Sequence, residues 1–489
     1  MLNISLQFNR RDFEYDVYTL ISAFFPGSRI KTWYADEEAP EGEFAYTYIV
    51  DYGQEQITFS LEQPGESQFA CCRLTNANDR AETKNQLKRL VYRFLSNQTG
   101  KELPWGDLTG IRPTKIPMHL LEEGHSNVEI ARYMRETYFT SPEKTALAIA
   151  TANREKALLA QLDVEKGYSL YIGIPFCPSI CLYCSFGSHP LKQWGHMMEP
   201  YLDALFRELA FIAERMKGRP LNTIYIGGGT PTTLEPEQLE RLLSFVEEHF
   251  PLDQLREFTV EAGRPDTITG EKLAVLRKYP VNRISINPQT MNQKTLDLIG
   301  RKHTVEDTVE KFRMARNMGF DNINMDLIVG LPGEGRDEVE ATLQAVKELD
   351  PDSLTVHSLA LKRATRLHLF KEQYEDISFE NSAEIMQMTE QCAREMGMGP
   401  YYLYRQKNIA GNFENVGYAK VDKAGIYNIL IMEEKQTIMA AGSGASTKFV
   451  FRQGTRIERV ENVKDLKNYV ERIDEMLERK RKGMELYEI

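Results

Sequence analysis

Tyr171-Ile-Gly-Ile-Pro-Phe-Cys177-Pro-Ser-Ile-Cys181-Leu-Tyr-Cys184-Ser-Phe186 holds three of the chain's six cysteines, spaced Cys-x3-Cys-x2-Cys. The apolar run before them, Ser169 to Ile174, reads as a buried strand. Pro175 and Pro178 then force the chain out of that strand into a loop, because proline has no N–H to give a sheet. Three thiolates on one short loop suit a soft metal centre, and a [4Fe–4S] cube is the natural candidate. Three cysteines leave one of its irons without a protein ligand, so that iron can bind a small molecule. A zinc site completed by His189 is an alternative. Three buried free thiols are another.

Composition narrows the class. The chain has 489 residues, 42% hydrophobic and 27% charged, ordinary values for a globular protein large enough for several domains. The net charge of −11 argues against nucleic acid as the main partner. No apolar run reaches the length of a membrane span. The opening Met1-Leu-Asn-Ile-Ser lacks the charged and apolar regions of a signal peptide. Six cysteines are too few for a disulfide framework, and Cys71, Cys72 and Cys392 read as ordinary interior residues. A reducing, cytoplasmic location is expected.

Residues 1–100 read as a small α+β module, with strands at Ile4–Phe8, Glu43–Val50 and Gln56–Leu61 and a helix between Ala81 and Leu95. Residues 101–165 form a turn-rich link and then helices, one of them started by Ser141 and Pro142. Its Arg112 and Lys115 read as a solvated face. From Tyr168 strand, loop and helix alternate. Six strands are expected: Ser169–Ile174, Thr223–Gly227, Glu257–Glu261, Arg283–Asn287, Asn322–Val329 and Ser353–Leu359. That order implies a parallel sheet with covering helices, and functional residues at the carboxyl ends of the strands. After about residue 375 the pattern is irregular. A helix is expected around Ser382–Met396, a strand pair near Tyr427–Met439, and one last amphipathic helix carrying Leu466, Tyr469, Ile473 and Met476.

Ile226-Gly227-Gly228-Gly229-Thr230-Pro231 ends the second strand, where glycines let backbone groups come close to a ligand or simply make a tight turn. Glu261 ends the third strand, Gln289 and Arg301 flank the next loop, and Asp326 lies on the fifth strand. A salt bridge for Arg301 and a satisfied core carboxylate for Asp326 are the plain alternatives. A bare aspartate on a buried strand is costly, which favours a polar site.

The cysteine spacing, with the glycine motif one strand–helix unit later, resembles the signature of the radical S-adenosylmethionine (SAM) superfamily. From Tyr168 to about Leu367 the chain is similar to the oxygen-independent coproporphyrinogen III oxidases (dehydrogenases), through the cysteine loop, Gly227 to Pro231, Glu261, Gln289 with Arg301, Asp326 to Pro332, and Ser358 to Lys362. With the N-terminal module and the Gln406–Asn412 stretch, the whole chain resembles their HemZ-type branch. The resemblance implies an open partial (β/α)6 barrel over residues 166–375, an N-terminal α+β module, and a C-terminal α+β domain over 376–489 that covers substrate. It implies a [4Fe–4S] cluster on Cys177, Cys181 and Cys184, and one SAM, with room for a second. Tyr171, Gly228 and Glu261 would hold the cluster-bound SAM. Tyr183, Gly229, Thr230, Gln289, Arg301, Asp326 and Ala360 would line that site or an adjoining pocket. Tyr171, Arg301 and Asp326 stand as the catalytic set.

The implied reaction belongs to porphyrin and heme biosynthesis. Reduced flavodoxin or ferredoxin supplies an electron, SAM yields a 5′-deoxyadenosyl radical, and two propionates of coproporphyrinogen III become vinyl groups. The product is protoporphyrinogen IX. Arg264, Arg301, Lys362 and Arg363 are candidates to meet the substrate carboxylates. One departure stands out: the oxidases carry a further cysteine at the position of Phe186, whereas the related heme chaperones share this chain's Cys-x-Phe ending. Against the chaperone, no histidine follows His368, so the C-terminal segment offers no imidazole for heme iron. A radical SAM enzyme acting on another tetrapyrrole is the third class.

Overall fold

The structure, a computed structural model, describes residues 2–63, 66–74, 79–110, 112–185, 187–360, 380–406, 413–451, 454 and 456–486. Phe186, Lys362, Arg363 and the 407–412 stretch lie outside the described residues. Two compact units emerge, Met1–Ile149 and Ala150–Ile489.

The first unit is built on a five-stranded sheet ordered Arg29–Tyr34, Asn3–Phe8, Tyr46–Tyr52, Gln56–Gln63, Glu66–Arg73. Helices Glu14–Phe24 and Arg80–Thr99 bury Val17, Leu20, Leu87 and Val91 in a core with Ile4, Tyr48 and Phe59. Two of these strands are absent from the sequence reading, Arg29–Tyr34 and Glu66–Arg73. Both are edge strands, and the first has no fully buried side chain to set up alternation. The edge strand also corrects the cysteine reading. Cys71 is exposed and Cys72 only half-buried; Cys392 alone is interior.

Asp107 in this unit is 1% exposed, with one carboxylate oxygen lacking any partner. Burial pushes its carboxyl up to about 7, with Lys88 and Arg89 opposing. In the unfolded chain such a group titrates near ~3.9. Between those values the folded state binds more protons, so stability falls as pH rises from about 4 to about 7 and is flat beyond. Asp107→Asn should remove that slope and raise the thermal midpoint at pH ~8 while leaving it nearly unchanged at pH ~4. A variant whose midpoint dropped at both pH values would sink this account.

The second unit contains an eleven-stranded sheet. Its centre is six parallel strands in chain order: Tyr168–Ile174, Leu221–Gly228, Glu257–Glu261, Arg283–Ser285, Ile323–Val329 and Ser353–Ser358. These are the six barrel strands expected from the sequence. The C-terminal segment continues the same sheet at both edges. Asn415–Ala419 and Gly399–Tyr404 add antiparallel strands beside the sixth. Thr437–Ala441 pairs parallel with the first strand and leads to Ser446–Phe451 and Arg456–Glu461.

Period-two alternation divides the barrel strands. One set, with Leu170, Ile172, Ile224, Ile226, Phe258, Val260, Ile284, Met325, Leu354 and Val356, is apolar and buried. The other set is polar: Tyr225, Glu261, Arg283, Ser285, Asn324, Asp326, Thr355 and His357 line a cavity.

Two local expectations are corrected. Ile426–Glu433 is a helix, not a strand. Its apolar, β-branched sequence suggested sheet, but Glu257 on the third barrel strand accepts the Ile426 and Tyr427 N–H groups and caps the helix from a distance. The last helix is two, Leu466–Glu471 and Ile473–Leu486, broken at Arg472. The second of these is tied to the helix Met198–Arg215 by a fully buried pair, Lys480 and Glu208, which Asn462 and Tyr469 complete. Ser141 does cap the helix beginning at Pro142, accepting the Lys144 N–H at 3.2 Å. Among the described residues no helix is long and apolar enough to cross a membrane.

Candidate active site

The cysteine loop leaves the first barrel strand and is stitched down at several points. Phe176–Cys177 pairs with His189–Pro190. The Leu182 N–H donates to the Ile299 carbonyl at 2.9 Å, and the Ser179 hydroxyl to that of Gly300 at 3.1 Å. Leu182 packs with Leu296, Ile299, Ile328, Leu331 and Leu359, and Tyr183 rests on that cluster. All three loop cysteines line one cavity of about 420 Å³.

Two of the sulfurs have polar neighbours. The Thr230 hydroxyl is 3.4 Å from Cys177 Sγ. Arg264 Nη1 is 3.8 Å from Cys181 Sγ. Burial pushes the Cys177 thiol up, and the Thr230 hydroxyl and the Arg264 guanidinium oppose it. Hydroxyl and guanidinium donors beside sulfur stabilise thiolate and suit an anionic iron–sulfur centre. A single zinc ion is poorly served. Among the described residues no three His, Cys, Asp or Glu side chains gather around one ion position, and the His189 ring packs edge-on against Trp194 instead.

The glycine motif lies directly beside this loop. The Gly229 N–H donates to the Ile174 carbonyl at 2.8 Å and the Thr230 N–H to that of Phe176 at 2.7 Å. A Cβ on Gly229 would sit 2.5 Å from the Phe176 carbonyl oxygen, so a larger residue would push the two loops apart. Gly228 has φ +111°, a region closed to other residues in practice, with the Tyr171 hydroxyl beside it. Tyr171, Tyr225 and Tyr427 stack behind, with the Tyr225 and Tyr427 ring centres 4.5 Å apart.

Further round the barrel, Glu261 accepts the Tyr225 hydroxyl. Burial pushes its carboxyl up to about 7, Tyr225 opposes, and the nearby Asp326 adds to the rise. Gln289 adopts φ +69°, held by its N–H on the Asp326 carbonyl and its own carbonyl under the Ile328 N–H, both at 2.9 Å. Left-handed backbone at a non-glycine residue is strain that a site can use to aim a side chain. Asp326 Oδ1 accepts from Asn324 Nδ2 at 2.7 Å, and Oδ2 lies 3.9 Å from His357 Nε2. The Tyr404 hydroxyl meets His357 Nδ1 at 3.2 Å.

Of the residues expected from the sequence, Cys177, Cys181, Cys184, Tyr183, Gly228, Gly229, Thr230, Glu261, Gln289, Arg301, Asp326 and Ala360 all line this cavity. Tyr171 stands behind it, one layer back beneath Gly228. Arg264 lines the cavity too, and it also chelates Asp266 and holds Ser179, so its guanidinium braces the cysteine loop. Arg301 is largely engaged too, by the Tyr183 hydroxyl and the Gly263 and Asn287 carbonyls, with Nε buried and unpartnered. Tyr402 and Tyr404 line the cavity, whereas Tyr401 is core. Among the residues missed are Tyr225, Arg283, Asn324 and His357. Each sits two positions from another inward-facing polar residue, so strand alternation carried the information.

Residues 171–346 match the radical SAM superfamily, and the described geometry is that of a radical SAM protein: a three-cysteine loop beside a glycine turn at the mouth of a parallel barrel. Over 462 residues the chain is 41% identical to the oxygen-independent coproporphyrinogen-III oxidase-like protein HemZ of Bacillus subtilis (strain 168), covering 92% of each. It is 37% identical over 222 residues to the heme chaperone HemW of the same organism, covering 43% of this chain and 58% of that one. Among solved structures it resembles coproporphyrinogen III oxidase HemN of Escherichia coli, a radical SAM enzyme, with TM-score 0.51 and 27% identity over 66% of this chain and 73% of that one. The chain belongs to the HemZ family of radical SAM proteins. Membership brings a [4Fe–4S] cluster and SAM as cofactors, and the three thiols with their hydroxyl and guanidinium neighbours fit the cluster.

Proposed function

We propose that this protein oxidatively decarboxylates two propionates of coproporphyrinogen III, giving protoporphyrinogen IX. The observation that carries the reading is one cavity that joins the three cysteines to a second polar wall of Asp326, His357, Tyr402 and Tyr404. Cofactor binding accounts for the cysteine side; the far wall is left for a substrate. When bound, the cluster and SAM would supply hydrogen-atom abstraction, and each propionate then loses carbon dioxide while its remaining electron passes to an external one-electron acceptor. Cys177, Cys181 and Cys184 hold the cluster. The Gly228–Thr230 backbone and Glu261 meet the polar groups of SAM, and Tyr171 supports the glycine turn from behind. Gln289, Arg301, Asp326 and Ala360 line the same site or an adjoining second SAM and substrate pocket. The barrel wall positions the reacting carbon and keeps water away. Reduced flavodoxin or ferredoxin is the proposed electron donor, in a reducing cytoplasm.

A heme-chaperone reading draws on the HemW likeness and on His357, an imidazole that the sixth barrel strand places in the cavity. Its Nδ1 is engaged by Tyr404 and its Nε2 faces Asp326, which favours a hydrogen-bonding role over an axial ligand. The two readings separate on one anaerobic preparation with SAM and reductant. Vinyl product from coproporphyrinogen III, and no stoichiometric complex with added heme, is the expected result. Tight heme binding without decarboxylation would establish the chaperone, and consumption of heme would point to a different tetrapyrrole reaction.

A further inference from the structure

Arg283 begins the fourth barrel strand and lines the cavity, although it is only 2% exposed. A guanidinium has five N–H donors. Arg283 uses one of them, Nη2 on the Ser353 hydroxyl at 3.2 Å, and its Nε is buried with no partner. Arg264, equally buried, shows the usual arrangement, a two-point pair with Asp266. Arg283 makes no ion pair among the described residues.

The carboxylates around it are already occupied. Glu257 takes the Thr259 hydroxyl and the Ile426 and Tyr427 N–H groups. Glu261 takes the Tyr225 hydroxyl, and Asp326 takes the Asn324 amide. A buried cation with one hydrogen bond is costly unless something else completes it. The open space in front of Arg283 is the cavity. A hydrogen-bonded rail leads from it toward Asp326: the Ser353 hydroxyl donates to Asn324 Oδ1 at 2.9 Å, and Asn324 Nδ2 donates to Asp326.

We propose that Arg283 is the anion anchor at the floor of the cavity and receives a carboxylate of the bound ligand. The inference deepens the functional reading above and rests on the same cavity. A carboxylate matches the forked donors of a guanidinium. Two sources share that chemistry, the methionyl carboxylate of SAM and a propionate of the tetrapyrrole.

The test uses the full-length, cluster-loaded protein and the variants Arg283→Met and Arg283→Lys. Three probes are titrated: SAM, coproporphyrin III as a non-reacting tetracarboxylate, and coproporphyrin III tetramethyl ester. Arg283→Met should weaken either SAM or coproporphyrin III by about tenfold or more, the loss of a charge-assisted hydrogen bond. Which of the two weakens identifies the source. Arg283→Lys should retain part of that affinity, and the ester should be indifferent to both changes. The ligand-free midpoint of Arg283→Met should stay level or rise, because methionine removes a poorly compensated buried charge.

Unchanged affinity for both SAM and coproporphyrin III overturns the proposal. So does a methionine variant that unfolds or loses its midpoint sharply, since Arg283 would then be offsetting the buried Glu257 on the neighbouring strand. Failure of the wild-type protein to bind coproporphyrin III would count against the functional reading alone, and the SAM titration would still decide the role of Arg283.

Discussion

Replacing Cys177, Cys181 or Cys184 by alanine should empty the protein of cluster iron and sulfide and end SAM cleavage. Each cysteine would bind one iron, and these three are the thiols that line the cavity. Cys392 sits on the helix Ala383–Glu395 with its sulfur directed at the Leu343 carbonyl, 3.7 Å away. Cys71 and Cys72 belong to the edge strand of the N-terminal unit. Alanine at Cys71, Cys72 or Cys392 should therefore leave iron content and SAM cleavage at the wild-type level. Cys71→Ala should in addition remove the thiol most open to oxidation, because exposure governs access to oxidants. Iron and sulfide analysis with the cluster absorbance, followed by methionine release from SAM, reads both outcomes. Full iron and activity in Cys177→Ala would end the cluster assignment.

Asp326→Asn should lower product formation by about a hundredfold or more while keeping the cluster, since a hydrogen-bonded charge at a reacting site is worth about 3 kcal/mol. Asparagine keeps the size of the side chain and can still accept from Asn324. What it loses is the negative charge facing His357. The Asp326 side chain is 22% exposed, so no sealed charge pair is broken. The thermal midpoint should stay within about 4 °C, the shift expected for ~1 kcal/mol or less. A variant that unfolds would make Asp326 a structural residue, and one with normal turnover would remove it from the site.

The six barrel strands were legible because each carries a run of buried apolar residues with its own period. Leu170, Ile172 and Ile174 show it on the first strand, as do Ile323, Met325 and Leu327 on the fifth. The strands of the N-terminal edges carried no such alternation and went unread. Ile426–Glu433 misled for the opposite reason: its apolar residues suit a strand, and a carboxylate from Glu257, 169 residues earlier, made it a helix. Arg264 looked like a substrate contact because sequence shows charge and not its partner, Asp266, two residues on.

The sequence by itself determined the cysteine loop, the glycine turn and the order of the parallel strands, since spacing, backbone freedom and strand periodicity are local properties. It also pointed to the cysteine loop, the glycine turn, Glu261, Gln289, Arg301 and Asp326, because functional groups gather at the carboxyl ends of such strands. Only the tertiary structure decided which charges are spent and which remain. Arg264 and Arg283 look alike in the sequence. Both line the cavity, but one is paired with Asp266 and the other has its donors largely unused. Arg264 finds Asp266 two residues on, whereas the surroundings of Arg283 are assembled from separate strands, and local patterning carries no record of that.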